Sequence, residues 1–510
     1  MIRTTHFFAS FLCCAGVVAC APAPQSAPPL PSQTEIWPTH GWATSTPEEQ
    51  GIDSVALAKV IDWIRDKQIP VHSLFLERNG HAVLDAYFFP FDASERHDVA
   101  SVTKSVASSL IGIAQGEGKL GDLNAPISEL LPAETRTLDD PRKGAITLSN
   151  LLDMTSGLDC NAAPGENLLL EMEQSADWPA FMLNRPLVSL SGSKFQYCGA
   201  AFHMVSVILT GATGFSAFDL ARNQIFGPLG IANAVWPSDP QGNSHGFADL
   251  ELQPRDAAKL GYLWLHHGRW GQQQIIPESY LTVALGTHAQ VQPGITYGYG
   301  FWLYPSHRPY DFEANGRGGQ RITVVPAQNL VSVVTAGGAD ANTIAPLLAA
   351  AVKSDVPLPP NSQGALELAK AIAGAAHPHA PVMPTAVPQW ARNISGKMFA
   401  VSDNPLGLVS LQLIFASDAE VLLRTQFAGG VWESHPVGMD GVPRLSTNGK
   451  SGHRIALLGT WRPGGLLLDY NTIARIDDYR FHLAPVADGL EIHLTERTGL
   501  IDMQLLAKAS

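Results

Sequence analysis

Apolar and polar positions alternate from Leu74 to Phe88 around the pair Asn79-Gly80, which predicts two strands joined by a tight hairpin turn. A second strand pair is predicted at Ile322–Val325 and Leu330–Thr335, turning through Pro326-Ala327-Gln328-Asn329. Between these hairpins the apolar residues recur at helical spacing, from Ser101 to about Gln115 and from Ala201 to Thr213, and they do so again from Asn342 to Lys353. Helices lying between strands from both ends of one segment predict an antiparallel sheet covered by helices, an α/β fold of the α+β kind and not a βαβ repeat.

The pattern breaks after about Asp355. Residues 356–392 carry Pro357, Pro359, Pro360, Pro378, Pro381, Pro384 and Pro388 around one helical stretch, Ala365–Ala373, and are expected to be a linker. His377-Pro378-His379 lies within it and reads as solvated, not as a metal-binding pair. Beyond it come short strand-like runs separated by turn residues, among them Leu408–Phe415, Val421–Phe427, Arg454–Trp461, Gly465–Tyr470 and Gly489–Glu496. They predict a small all-β domain over 393–510, a barrel or a sandwich, with no catalytic constellation of its own.

The first twenty residues read differently. Arg3 followed by the apolar stretch Phe7–Val18, too short to span a bilayer, has the form of an export signal. Its end, Val17-Val18-Ala19-Cys20, resembles the bacterial lipoprotein cleavage box, which implies a lipid on Cys20 as the chain's only membrane attachment; simple cleavage after Ala21 also fits the small residues there. The Pro-rich residues 21–41 then form a tether, and the main domain runs over 42–355. An exported chain of this kind is periplasmic or membrane-anchored.

Composition narrows the partners more than the fold. A formal charge of -13, from 33 Lys+Arg against 46 Asp+Glu, gives no basic surface for a nucleic acid. Of five cysteines, Cys13 and Cys14 leave with the signal and Cys20 is the anchor candidate. Cys160 and Cys198 remain, either bridged or as two buried thiols, and neither has a metal-ligand spacing.

The candidate chemistry is nucleophilic. A serine hydroxyl needs a base to take its proton and donors to hold the oxyanion that forms. Ser-x-x-Lys places hydroxyl and amine on one helical face and occurs at Ser101-Val102-Thr103-Lys104 and at Ser191-Gly192-Ser193-Lys194. Only the first opens an apolar stripe, Val102, Val106, Leu110 and Ile113, which puts Ser101 at a helix N-terminus where unpaired backbone N–H groups can hold an anion. Ser191 sits in a Gly/Ser turn with no helix after it. Gly242-Asn243-Ser244-His245-Gly246 mimics a nucleophile elbow, but Pro237 and Pro240 precede it where a buried strand is required. A capping serine with a solvated Lys104 is the bland alternative for Ser101.

Three separated segments tip that balance. Ala100-Ser101-Val102-Thr103-Lys104-Ser105-Val106 resembles the nucleophile motif of the β-lactamase-like serine hydrolases, which include class C β-lactamases, D-alanyl-D-alanine carboxypeptidases, family VIII esterases and 6-aminohexanoate-dimer hydrolases. Phe195-Gln196-Tyr197-Cys198-Gly199 follows where that superfamily carries Tyr-x-Asn or Tyr-x-Ser, and Gly316-Arg317-Gly318-Gly319-Gln320 stands where it carries Lys-Thr-Gly or His-x-Gly. Leu151–Leu158 and Pro254-Arg255-Asp256 are similar to its supporting segments. The resemblance covers roughly residues 45–355 and implies a β-lactamase/transpeptidase-like fold, with an all-helical subdomain beside the sheet and the all-β domain as an accessory.

It also implies roles. Ser101 is the nucleophile, Lys104 and Tyr197 the proton relay, and the backbone N–H groups of Ser101 and Gln320 the oxyanion hole. Gly199, Arg317, Gly318 and Gly319 stand at substrate-contacting positions, with Arg317 either meeting a substrate carboxylate or lying exposed at a strand end. No metal or organic cofactor is called for. Gly199 in place of Asn or Ser, and Arg-Gly-Gly in place of Lys-Thr-Gly, point away from β-lactam hydrolysis and towards a small ester or linear amide substrate, leaning to the 6-aminohexanoate-dimer hydrolase branch. A carboxypeptidase and a catalytically silent binding protein of the same fold are the alternatives.

Overall fold

The computed structural model describes residues 35–136, 138–160, 167–404, 406–449 and 452–509. The expected export signal, the expected lipid site Cys20 and the first part of the expected tether lie outside the described residues. Helix α1 (Ser54–Asp66) starts at Asp53, whose carboxylate accepts the N–H groups of Val55 and Ala56, a cap that contributes about 1 kcal/mol. Its apolar face, Leu57, Ile61 and Ile64, is fully buried.

A nine-stranded sheet follows, built from β1 (Ala43–Thr44), β2 (Val71–Arg78) and β3 (His81–Tyr87) and from β6 (Ala289–Gln292), β7 (Ile295–Tyr297), β8 (Trp302–Tyr304), β9 (Asp311–Gly316), β10 (Gln320–Val325) and β11 (Leu330–Ala336). The short pair β4 (His97–Asp98) and β5 (Glu251–Leu252) stands apart from it. The sheet order is β1-β3-β2-β11-β10-β9-β8-β7-β6, so the N-terminal hairpin pairs with the C-terminal one. Both expected hairpins are present. Asn79 and Gly80 turn the first with φ of 54° and 79°, the left-handed conformation that this residue pair favours.

The chain between the two ends supplies the helical layer. Helix α2 (Val102–Gly116) is buried from Val102 through Ala114 and packs against α3 (Gly199–Thr213), while α4 (Pro254–Leu265) lies across β10 and β11. This explains the broad apolar stripe: α2 is surrounded, not laid on a surface. On the opposite side of the sheet α1 packs with α5 (Ala341–Ala350) and α6 (Ser362–Ala375).

Helix α6 corrects the expected linker. Leu368, Ala371 and Ala375 are buried against α1, so the stretch through residue 375 belongs to the hydrolase core. At its far end α7 (Gln389–Ile394) belongs to the all-β domain, with Trp390 edge-on to Trp461 at 5.7 Å. The N-terminal boundary also moves: Trp37 packs on Tyr262, His266 and Trp270, and Trp270 donates to the Thr39 hydroxyl, so residues 36–41 are part of the fold and not tether.

The C-terminal domain is a ten-stranded barrel: β12 (Met398–Val401), β13 (Leu408–Phe415), β14 (Glu420–Phe427), β15 (Trp432–Gly438), β16 (Arg444–Thr447), β17 (Arg454–Arg462), β18 (Gly465–Thr472), β19 (Asp478–Val486), β20 (Gly489–Glu496) and β21 (Asp502–Ala509). Pairing of β15 with β17 closes it. It docks on the hydrolase domain through arginines: Arg454 pairs with Asp92 and Glu95, and Arg475 with Glu251. Among the described residues no single helix is long and apolar enough to cross a membrane.

Candidate active site

Ser101 stands at the junction of β4 and α2. The chain reaches it through Ala100, whose φ of 48° is unusual for a residue with a side chain and costs about 1–3 kcal/mol unless neighbours hold it. They do. Asp98 Oδ1 accepts the Ala100 N–H at 2.7 Å, Thr103 Oγ1 donates to the Ala100 carbonyl at 2.6 Å, and the Val99 N–H donates to Leu250 O at 2.9 Å. This turn presents the Ser101 side chain outward from the first turn of α2. Ser101 makes no capping hydrogen bond, so the capping alternative falls.

Its hydroxyl instead meets Lys104. The Lys104 side chain is 1% exposed, and its Nζ lies 2.7 Å from Ser101 Oγ and 2.8 Å from the Phe247 carbonyl oxygen. The ring of Tyr197 covers the same amine, with 4.9 Å from Nζ to the ring centroid. Tyr197 in turn stacks on Trp302 at 5.7 Å. Tyr197, distant in the sequence, therefore joins Ser101 and Lys104 in one cluster.

The Tyr197 segment is pinned from beneath. Met154 accepts the Gln196 N–H through its carbonyl and the Cys198 N–H at its sulfur, which gives the Leu151–Leu158 segment a structural task on either side of Tyr197. Cys198 is bonded to Cys160, resolving that pair as a disulfide, and also caps α3.

A cleft of about 430 Å³ opens at Ser101, lined by Tyr197, Ile295, Trp302, Tyr304, Asn315, Gly316, Arg317, Arg321, Asn342, Thr498 and Leu500. Gly316 approaches the Val99–Ser101 turn so closely that a Cβ there would stand 2.5 Å from Val99 O and 2.9 Å from Ala100 Cβ. Only glycine fits.

Of the remaining expected site residues, Arg317 lines the cleft and Gln320, Gly318, Gly319 and Gly199 do not. Gln320 is 1% exposed and is not part of the cleft wall; its side-chain amide donates to Arg317 O and Ala336 O and accepts the Ala336 N–H, so it locks the turn between β9 and β10. In register it faces Gly316, and Gly316–Arg317 is the stretch beside Ser101. Gly318 and Gly319 have φ of 79° and 96° and make that turn, packed against Ala336 and Ala339 instead of substrate. A Cβ on Gly199 would face Leu169 and Phe247, not the cleft.

The Arg317 side chain, 22% exposed, is engaged by acidic partners instead of being free for a substrate carboxylate. Its guanidinium pairs with Asp477 at 2.7 Å and Glu496 at 3.5 Å and donates to Thr498 Oγ1, all on the barrel. The two rejected serines are occupied: Ser244 is fully buried and accepts the Phe218 N–H, and Ser191 donates to the Ser156 carbonyl.

Several contributors left no readable sign in the sequence. Phe247 acts through its backbone carbonyl, to which side-chain identity is blind. Arg475 reaches in from the barrel, with Nη atoms 3.7 Å from Asp98, 3.8 Å from Asp249 and 3.3 Å from Glu251. Burial pushes the Asp98 carboxyl up to about 7, Arg475 and the Ala100 N–H pull it down, and Asp249 and Asp477 add to the rise. An acidic residue three positions before Ser101 was the one available signal.

A half-buried serine beside a buried lysine, on a helix between a sheet and a helical layer, is the arrangement of a serine hydrolase. The family model described as Beta-lactamase matches residues 56–355, and the chain belongs to that family. It is 25% identical over 240 residues to the 6-aminohexanoate-dimer hydrolase of Paenarthrobacter ureafaciens, a match covering 44% of this chain and 60% of that relative's length. Among solved structures it is similar to EstCE1, described as a hydrolase with promiscuous acyltransferase activity, at TM-score 0.50 and 17% identity over 59% of this chain and 99% of that one. It is also similar to a penicillin binding protein from Bacillus halodurans, at TM-score 0.48 and 17% identity over 58% and 99%.

Proposed function

We propose that this protein hydrolyses a carboxylic ester or a small linear amide through an acyl-Ser101 intermediate. The observation that carries the reading is the 2.7 Å contact between Ser101 Oγ and the buried Lys104 Nζ. In its neutral form Lys104 accepts the hydroxyl proton as Oγ bonds to the substrate carbonyl carbon. The oxyanion is held by the backbone N–H of Ser101 and, replacing Gln320, that of Arg317 on the adjoining strand end. Collapse breaks the carbon–oxygen or carbon–nitrogen bond, and the proton taken from Ser101 passes from Lys104, with Tyr197 beside it, to the leaving group. Water then attacks the acyl carbon and gives its proton to the relay; the bond between that carbon and Ser101 Oγ breaks, Oγ takes the proton back and the acid leaves.

Gly199 presents no amide side chain to the cleft, and Arg317 is held by the barrel, so the two groups that would grip a β-lactam's amide and carboxylate are missing from their expected places. The aromatic wall of Tyr197, Trp302 and Tyr304 favours a compact, largely apolar acyl group. The test is hydrolysis of p-nitrophenyl butyrate and of a short linear amide by the purified protein and by Ser101→Ala. The reading requires turnover of at least one and its loss in the variant; equal rates in the two proteins refute it.

A further inference from the structure

The C-terminal barrel has its own interior. Residues of four strands line it, among them Leu411 from β13, Leu423 and Thr425 from β14, Leu468 and Tyr470 from β18 and Leu483 from β19. They enclose a cavity of about 190 Å³. Protein interiors are packed with few voids larger than a water molecule. This one exceeds the roughly 150 Å³ apolar cavity that suffices to bind benzene. Closed barrels of this size can hold one small ligand.

Two features say what would fit. The wall is aliphatic and aromatic, which rejects charge along most of its length and suits a hydrocarbon chain. Tyr470, Thr472 and Tyr479 bring hydroxyls to this wall as well as Thr425, and of the four only the Thr425 oxygen is buried without a partner. Thr425 is 6% exposed, and its Oγ1 has no hydrogen-bond partner among the described residues. A buried hydroxyl without a partner is costly, and a ligand oxygen beside it would remove that cost.

We propose that the barrel binds a single-chain aliphatic molecule with one oxygen-bearing end group, a medium-length fatty acid or alcohol, its chain between Leu411, Leu423, Leu468 and Leu483 and its oxygen at Thr425. Leu411, Leu423 and Leu483 are buried, whereas Phe427, Thr472 and Tyr479 at the other end are partly exposed. The ligand enters from that end. The site is separate from Ser101 and does not depend on the hydrolase reading.

The experiment uses the full chain carrying Ser101→Ala, so that the catalytic cleft does not turn the probe over. N-phenyl-1-naphthylamine is titrated into it and displaced with decanoic acid, 1-decanol or decane. Saturable fluorescence that all three displace is expected. Leu423→Trp, which fills the cavity, should weaken probe binding at least about tenfold; Leu468→Trp is the second filling variant, and each is accepted only if its thermal transition stays cooperative. Thr425→Val should weaken decanoic acid and 1-decanol about three- to tenfold and leave decane unchanged. Absence of saturable binding, or binding that neither filling variant reduces, overturns the site. Equal loss of all three compounds in Thr425→Val, or no loss of any, overturns the role of its hydroxyl.

Discussion

Replacing Arg475 by alanine removes a cation that belongs to none of the sequence motifs and yet sits behind the Val99–Ser101 turn. Arg475 Nη2 is 3.7 Å from Asp98 Oδ2, and Asp98 Oδ1 holds the Ala100 N–H. Unit charges about 4 Å apart attract by about 4 kcal/mol at an effective dielectric of 20. Solvent screening lowers this, since the Arg475 side chain is 30% exposed and also serves Asp249 and Glu251. About 1.4–2.7 kcal/mol on Asp98 corresponds to one to two pH units.

The sign follows from the charge. Asp98 already titrates near 7, so it is ionised above that and protonated below it. Without Arg475 the proton is held to a higher pH. The Asp98 carboxyl is then neutral at pH 7, its hydrogen bond to Ala100 weakens by about 1 kcal/mol, and the left-handed Ala100 relaxes. The other charges facing this group are Asp249, Asp477 and Glu251, with His245 bonded to Asp249. Profiles of kcat/KM for p-nitrophenyl butyrate between about pH 5 and about pH 9.5 should show the acid limb of Arg475→Ala moved up by about one to two units, with a roughly fivefold deficit at pH 7 that closes at high pH. Arg475→Lys should keep the limb in place. A folded Arg475→Ala with an unmoved limb, or equal losses in both variants at every pH, refutes the reasoning.

Three further outcomes are expected. Lys104→Met should lower kcat/KM by at least about 10²–10⁴-fold while costing about 1–3 kcal/mol of stability, because the Phe247 carbonyl loses its buried partner; parallel ester kinetics and urea melts check both numbers. Gly316→Ala should abolish turnover while the fold persists, since its Cβ would meet Val99 O at 2.5 Å; a crystal structure of the variant should show the Val99–Ser101 turn displaced. Converting both Cys160 and Cys198 to serine should cost about 3–4 kcal/mol, from the loop closed by residues 38 apart, and should lower kcat with it because Cys198 adjoins Tyr197; calorimetry and ester kinetics read the two effects.

The sequence made some of this legible and hid the rest for definable reasons. The two hairpins carry their own turn residues, and α2 and α3 carry unbroken apolar spacing, so local rules sufficed for them. Helix α6 was misread because prolines flank it: composition signalled a linker, while Leu368, Ala371 and Ala375 packed it onto α1. Ser101 and Lys104 are one helical turn apart, and geometry within a turn is readable. Tyr197 came from resemblance, since nothing local joins it to Lys104. Gln320 does not line the cleft because its side chain turns inward to Ala336 beyond the Gly318-Gly319 turn, a matter of backbone conformation that residue types do not fix. Arg317 was misassigned because its partners, Asp477 and Glu496, belong to another domain.

The central claim is that Ser101 carries the acyl group. It is tested most directly by exposing the native protein to an activated ester, quenching in acid and locating the added mass by peptide mapping. One acyl adduct per chain on the peptide containing Ser101, absent in Ser101→Ala and strongly reduced in Lys104→Met, is the expected result. No adduct on that peptide, or one mapped to Ser191 or Ser244, would contradict the account.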